Sequence, residues 1–425
     1  MKIHIKNGRV IDPASGSDAT QDAYIAAGKI VALGSAPAGF NANRTIDASG
    51  LIVAPGLVDL AVRLREPGFE YRATLESEMH AAAAGGVTSL ACPPDTDPPL
   101  DEPGLVEMLK FRARTLNQAH VYPIGALTVG LKGTHLTEMA ELTDAGCVAF
   151  SHADAPLTDT QLLLRALQYA ATFDFPVWLR PQDADLARGG VAHDGQVATR
   201  LGLAAIPVCA ETIALSTILL LARETGARIH LCRVSSAEGI DMVRQAKARG
   251  LKVTCDIAIH HAHLSEMDIG YFDPNCHLTP PLRSQRDRDA LRAALADGTV
   301  DALCSDHTPV DENAKQLPFG EAETGATGLE LLLPLTLKWI EESRVPLARG
   351  LARITNEPAR VLGIDAGKLA AGLSADICIF DPERYWKVEA AALKSQGKNT
   401  PFTGVEMKGK VRYTLVEGQL VYEAP

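Results

Sequence analysis

The feature that most constrains this chain is a texture: between residues 55 and 369, short apolar runs alternate with stretches whose apolar residues recur at helical spacing. The runs begin near Leu57, Val87, Val121, Cys147, Val177, Arg228, Lys252 and Val300. Segments between them, such as Thr158 to Ala171 and Leu215 to Glu224, carry the apolar stripe of a helix packed on one side. Strand and helix alternating in this way predict an α/β fold, a (β/α)8 TIM barrel over 55–369. Chemistry in such a barrel sits at the carboxyl ends of the strands, so the residues that end each run are the candidates for function.

The two ends of the chain read differently. Residues 1–54 hold Ile3-His4-Ile5, Asn7 to Asp12, Ala23-Tyr24-Ile25, Gly28 to Val31 and Leu51-Ile52-Val53, short alternating runs punctuated by Gly and Asn. Residues 370–425 repeat that pattern in Ala375 to Phe380, Val411 to Val416 and Leu420 to Tyr422. Neither end has enough strands to close a sheet alone. They are therefore expected to pair into one small composite β-domain, a β-sandwich built from both termini.

Composition narrows the class of protein. An apolar fraction of 46% fills a core, and no stretch approaches the roughly 18 uninterrupted apolar residues of a membrane span. Met1 to Val10 alternates charged and apolar residues and lacks the core of a signal peptide, so a cytoplasmic protein is expected. The 8 cysteines stand singly with no C-x-x-C pair, which suits reduced, mostly buried thiols. A net charge of −11 disfavours nucleic acid or an anionic membrane as partner.

Several motifs then occur in order. They are Pro55-Gly56-Leu57-Val58-Asp59, Leu64-Arg65-Glu66-Pro67-Gly68, Ala81 to Thr88, Phe150-Ser151, Gly202 to Glu211, Pro280-Pro281-Leu282-Arg283, Ser305-Asp306-His307, Gly325 to Glu330, Asn356-Glu357-Pro358, Gly367 to Asp376 and Lys398 to Phe402. Over nearly its whole length the chain resembles the type I dihydroorotases of the amidohydrolase superfamily. The resemblance implies the barrel and the terminal β-domain that the patterning predicts independently. It also implies a zinc-dependent ring-opening chemistry, in which the metal lowers the pKa of a bound water to about 7.

The residues depart from that chemistry position by position. Where the family has His-x-His after strand 1, this chain has Ala61-Val62-Arg63. A methyl group offers no lone pair, and a guanidinium stays protonated and repels a cation. After strand 4 the family's acidic pair is replaced in Phe150-Ser151-His152-Ala153-Asp154; after strand 5 a ligand histidine is replaced by Arg180; after strand 6 another is replaced by Arg233. Only Asp306, the family's proton shuttle after strand 8, is retained, and without a metal-bound water it is vestigial as a catalytic group. Substrate contacts change in parallel: Arg65 survives, while Asp95, Thr279 and Val310 stand where the family has two asparagines and a histidine.

The expected site is thus a metal-free pocket lined by Arg63, Arg65, Asp95, His152, Arg180, Arg233, Thr279 and Val310, with fixed positive charge in place of a metal and balanced by Asp154 and Asp306. No cofactor is expected. By resemblance to inactive family members, the function expected is that of a structural or assembly subunit for aspartate carbamoyltransferase in pyrimidine biosynthesis, working as a homo-oligomer. Two other readings stay open. One is an active cyclic amidohydrolase with a rearranged zinc site from His152, His260 or His261 and Asp306, although the His260-His261-Ala262-His263 run suits a loop better. The other is a module whose arginines bind an anionic metabolite.

Overall fold

A computed structural model describes residues 1–424. Eight parallel strands follow one another around a barrel in sequence order: Leu57–Asp59, Val87–Cys92, His120–Ala126, Ala149–Ser151, Pro176–Leu179, Arg228–Leu231, Val253–Ala258 and Ala302–Cys304. They are barrel strands 1 to 8. Each begins within three residues of an apolar run read from the sequence. Strands 8 and 1 meet just beyond their ends, where Arg63 N donates to His307 O at 3.0 Å and His307 N to Ala61 O at 2.9 Å. That closure ties the residues following strands 1 and 8 into one rigid rim.

Between the strands lie helices whose starts are set by side-chain caps. Thr74, Asp159, Ser236 and Ser284 each accept a backbone N–H of the first turn. The helix Thr160–Thr172 buries Leu162, Leu163, Ala166, Leu167 and Ala170, one face at helical spacing, against the barrel. A single apolar core runs from these helices through the barrel wall to the terminal domain.

The composite β-domain forms through one seam. Ile52–Pro55, from the amino-terminal part, pairs antiparallel with Ile377–Lys387, with Val53 opposite Ile379. The strands of both termini thereby join one eight-stranded sheet. Alternation divides its side chains: Val53, Ile377 and Ile379 pack with Ile3, Ile5 and Ile25 in a core of their own, while Ile52, Ala54, Cys378 and Phe380 pack toward the barrel. Two details differ from the patterning. The runs at Ile3 and Asn7 are one strand, Lys2–Asp12, whose register shifts between Ile5 and Gly8 at an Asn7 with φ of 62°. The short Arg44–Asp47 and the polar part of Ser17–Ala26 before Ala23 were invisible as apolar runs, because their stability comes from pairing with that long central strand. None of the described helices is long and apolar enough to cross a membrane.

Candidate functional site

The rim above the strand ends gathers six charged side chains. Arg63 is four residues beyond strand 1, and strand-like alternation puts it on the same side as Ala61. Its Nε donates to Asp95 at 2.7 Å, one terminal nitrogen donates to Asp154 at 2.6 Å, and the other to Thr308 Oγ1 at 2.9 Å with Asp306 at 3.5 Å. Arg233 reaches the same carboxylates, donating to Asp154 at 2.6 Å and Asp306 at 2.9 Å. Arg180 donates through Nε to Asp154 and through Nη1 to Gln182. Asp154 is therefore the hub of three guanidiniums.

Burial sets the electrostatics. Side-chain exposures of 6–7% for the three arginines leave them little water, so each depends on the carboxylates for solvation. Burial alone would push the Asp154 carboxyl up, but Arg233, Arg180 and Arg63 overcome it and hold the group well below the usual carboxylate range. Asp306 goes the other way: desolvation raises it, and Asp154 nearby opposes its charge against the pull of Arg233 and Arg63. Desolvation works against the charge on Arg63 and Arg233 too, and their aspartate neighbours more than restore it.

The backbone at this rim is held in uncommon conformations. Arg65, Ala153, Arg233 and Asp306 all have positive φ, at 63°, 49°, 55° and 47°. Such residues cost on the order of 1 kcal/mol each and persist where surrounding contacts fix them. At Ala153 the left-handed turn presents Asp154 to the arginines.

The remaining expected site residues are dispersed around the hub. Arg65 lies beside it, its Nε on Pro309 O at 2.9 Å, and burial with Arg63 for a neighbour brings its pKa down to about 10. His152 stands at the edge, Nδ1 at 3.0 Å from Ala155 O and Nε2 at 2.8 Å from Thr128 Oγ1. That pairing makes Nδ1 the donor and leaves a neutral ring, in keeping with burial that lowers its pKa. With Asp154 and Arg180 it lines a side cleft of about 350 Å³ between the helices Thr160–Thr172 and Cys209–Thr225. Val310 opens instead onto a separate cleft of about 490 Å³ beside Arg72, Lys315 and Lys398, and no side-chain hydrogen bond joins Thr279 to the hub. The eight positions therefore do not all meet at the hub: Val310 is buried at the wall of this second cleft, and Asn399 Oδ1 accepts its N–H at 3.0 Å.

Three participants were not singled out from sequence. Thr308 and Gln182 each sit two residues past an identified charge, the spacing that returns a side chain to the same face, and this was the available signal. Below the hub, His230 is fixed by Thr254 Oγ1 at 2.8 Å and Asp256 at 2.9 Å, and packs on Trp178 with ring centres 4.6 Å apart.

A zinc centre does not fit the family's ligand positions in this chain. Three of them carry guanidiniums already paired with carboxylates, and Ala61 has no donor atom. His260 and His261 are not drawn to Asp306 either. His261 bonds Pro280 O at 3.1 Å, His260 stacks on Phe402, and burial lowers their pKa values to about 4 and about 3. Among the described residues, one trio of potential ligands has its donor atoms within 4.8 Å: His230, Cys232 and Asp256. Both nitrogens of His230 are engaged there by Thr254 and Asp256, so its lone pair is committed.

The family model described as Amidohydrolase family matches residues 198–422, and the one described as Dihydro-orotase-like matches 50–239. The L-hydantoinase (dihydropyrimidinase) of Arthrobacter aurescens superposes with a TM-score of 0.89 at 27% identity, over 99% of this chain and 96% of that one. In sequence, a protein named dihydroorotase-like from Pseudomonas aeruginosa is 49% identical over 100% of both chains, and another so named from Pseudomonas putida is 46% identical over 99% of both. A Geobacter protein named dihydroorotase is 43% identical over 100% of both. The chain thus belongs to the dihydroorotase-like amidohydrolases.

Proposed function

We propose that this chain is a non-catalytic dihydroorotase-like subunit that supports the assembly of aspartate carbamoyltransferase in the cytoplasm, as part of a homo-oligomer. The observation that carries the reading is the convergence of Arg63, Arg180 and Arg233 on Asp154. Three fixed cations at the family's ligand positions supply the charge a metal would bring, without a lone pair to bind one or a water for it to activate. Asp306, the family's proton shuttle, is engaged by Arg233 and Arg63 and has no nucleophile to serve. The full-length match to two proteins named dihydroorotase-like is in keeping with this role.

A fold kept in full around such a centre is useful for its surfaces. The test is co-expression with the aspartate carbamoyltransferase of the same organism, followed by size-exclusion chromatography and assay of both activities. Co-elution, with transcarbamoylase activity that falls when this chain is removed, is expected. Separate elution with unchanged transcarbamoylase activity sinks the assembly role. The second reading, an active hydrolase, is favoured by the 43% identity to a protein named dihydroorotase. Stoichiometric zinc together with hydrolysis of dihydroorotate, a dihydropyrimidine or a hydantoin would establish it instead.

A further inference from the structure

On the outside of the barrel, the helix Cys209–Thr225 packs between Thr160–Thr172 and Ala237–Ala248. Its two neighbours turn polar and charged groups to the solvent, Gln161, Arg165 and Gln168 on one side, Asp241, Arg244 and Gln245 on the other. The helix between them does not. From Thr212 to Ala222 it carries no charged residue, and Glu211 just before that stretch is buried. Its outward stripe is Cys209, Ile213, Ser216, Leu220 and Arg223, alternating steps of four and three that keep one face, with Ile213 47% and Leu220 54% exposed. Leu215, Ile218 and Ala222 meanwhile pack inward. A helix apolar on both its inner and its outer face is built to be covered on both.

A cleft lies on each flank of this stripe, and the two carry opposite charge. Toward the carboxyl end of the helix, a cleft of about 220 Å³ has an apolar floor that includes Leu220, Met242 and Leu251, and its charged groups are Arg223 and Arg249. No carboxylate lies in that wall, and the aspartates nearest on the neighbouring helix, Asp241 and Asp297 beyond it, are taken by Arg244. Toward the amino end, the cleft of about 350 Å³ has Asp183 and Asp185 in its wall beside Ile213. Arg180 in the same wall is committed to Asp154, and Arg188 meets Asp185 from the exposed rim. Asp183 has only backbone partners, the N–H groups of Asp185 and Leu186. The unmatched charges on this face are thus negative at one end and positive at the other.

We propose that this face is covered by a second copy of the chain. A two-fold axis through Ser216, at right angles to the line between the clefts, lays the basic cleft of each copy on the acidic cleft of the other and crosses the two helices roughly antiparallel. One patch then serves both partners, as a closed dimer requires. Leu220 and Ile213 leave water at the centre, and the opposed charges fix the register from the rim. A 17-residue helix runs about 25 Å, and with its neighbours it offers a face on the order of the ~800 Å² that each partner gives a stable dimer. The inference rests on the self-association included in the reading above and gives it a surface.

Sedimentation of the full chain, without any partner protein, tests it. The parent is expected to sediment as a dimer or a multiple of one, and Leu220→Glu to halve that mass while keeping the parent's circular dichroism. Arg223→Glu together with Arg249→Glu should weaken self-association by roughly tenfold or more, an effect that shrinks as salt is raised. Ser216→Cys in a Cys209→Ser background should cross-link to its own copy under a thiol oxidant, and it decides the matter if Leu220→Glu does not fold. A monomeric parent, a folded Leu220→Glu variant of the parent's mass, or a Ser216→Cys variant that yields no cross-linked dimer overturns the proposal. A monomeric parent whose co-elution with the transcarbamoylase is lost on Leu220→Glu would assign the face to that enzyme, and overturns it too. The assembly reading fails separately: a chain cross-linked through Ser216→Cys that elutes apart from the transcarbamoylase keeps this interface and loses that role.

Discussion

Two polar clusters at the same end of the barrel are built on opposite principles. The mouth is a cage of full charges, Arg63, Arg180 and Arg233 against Asp95, Asp154 and Asp306. A short distance away, Glu78 and His307, both fully buried, are joined at 2.6 Å, and the carboxylate also accepts from Ser395 Oγ at 2.6 Å and Gln396 N at 3.0 Å. His307 Nδ1 in turn faces the N–H groups of Gly328 and Leu329 at 3.2 and 3.4 Å. The second cluster needs each partner in its place, because it ties the helix Leu75–Ala84, the strand 8 loop and the carboxyl-terminal loop by hydrogen bonds. The first needs only a balance of charge. The buried network thus draws on motifs that look catalytic, His307 of Ser305-Asp306-His307 and the segments around Gly328 and Ser395, while the substituted positions Arg63, Arg180 and Arg233 meet at the mouth.

The largest effect is expected where the partners are irreplaceable. Glu78→Ala strands His307, Ser395 and Gln396 in the interior and should cost about 3–5 kcal/mol. Urea titration reads the loss, and hydrogen exchange should quicken around residues 393–402. A cost below about 1 kcal/mol would show that this network is as interchangeable as a surface pair.

At the mouth the comparison predicts a split result. Asp154→Asn removes the hub from three buried guanidiniums and should cost about 3 kcal/mol. Replacing the cage as a unit, Arg63→Met, Arg180→Met and Arg233→Met with Asp154→Leu and Asp306→Leu, should change stability by less than about 1 kcal/mol, since well-packed apolar groups can substitute for a buried ion-pair cluster. If the combined variant falls as far as the single one, the cage is held by position and not by balance, and the contrast with Glu78 disappears. Asp95→Asn, at a side chain 25% exposed, should cost less than about 1 kcal/mol.

How much of this was legible in the sequence follows from the kind of signal each part leaves. Barrel strands were readable because they are buried on both faces and appear as short runs of small or apolar residues such as Val87 to Cys92. The arginines were readable as charges at strand ends. Asp154 and Asp306 were readable as their balancing acids, but that Asp154 would meet all three guanidiniums was not, because it depends on the left-handed backbone of Ala153, a residue type that does not advertise such a turn. Val310 misled for a related reason: its alignment with a family contact says nothing of the rim that directs it toward Lys315 and Lys398. Strand Ser17–Ala26 was legible only in its last residues, where Ala23 to Ile25 turn apolar.

A change of slope with pH separates the two kinds of cluster once more. Asp154 and Glu78 are held below their ordinary values of 3.8 and 4.5, so the stability they supply is present above those values and is lost only as pH falls beneath them. The histidines behind the carboxyl-terminal loop act earlier. Burial, with neighbouring positive charge, lowers His263 to about 3 and His260 to about 3 from an ordinary 6.5. The unfolded chain therefore takes up these protons from about pH 6.5 while the folded chain refuses them, and each such group removes up to about 1.4 kcal/mol per pH unit on acidification. Both rings pack on Phe402, at 5.9 and 6.5 Å, so the loop that carries it should loosen before the arginine cage feels the acid. Stability measured from pH 8 to pH 5 should fall less steeply in His263→Gln than in the parent chain, while Asp154→Asn should alter the slope only below about pH 4. Parallel curves for His263→Gln and the parent would mean that this imidazole is not held neutral, and that acid reaches the cage and the loop together.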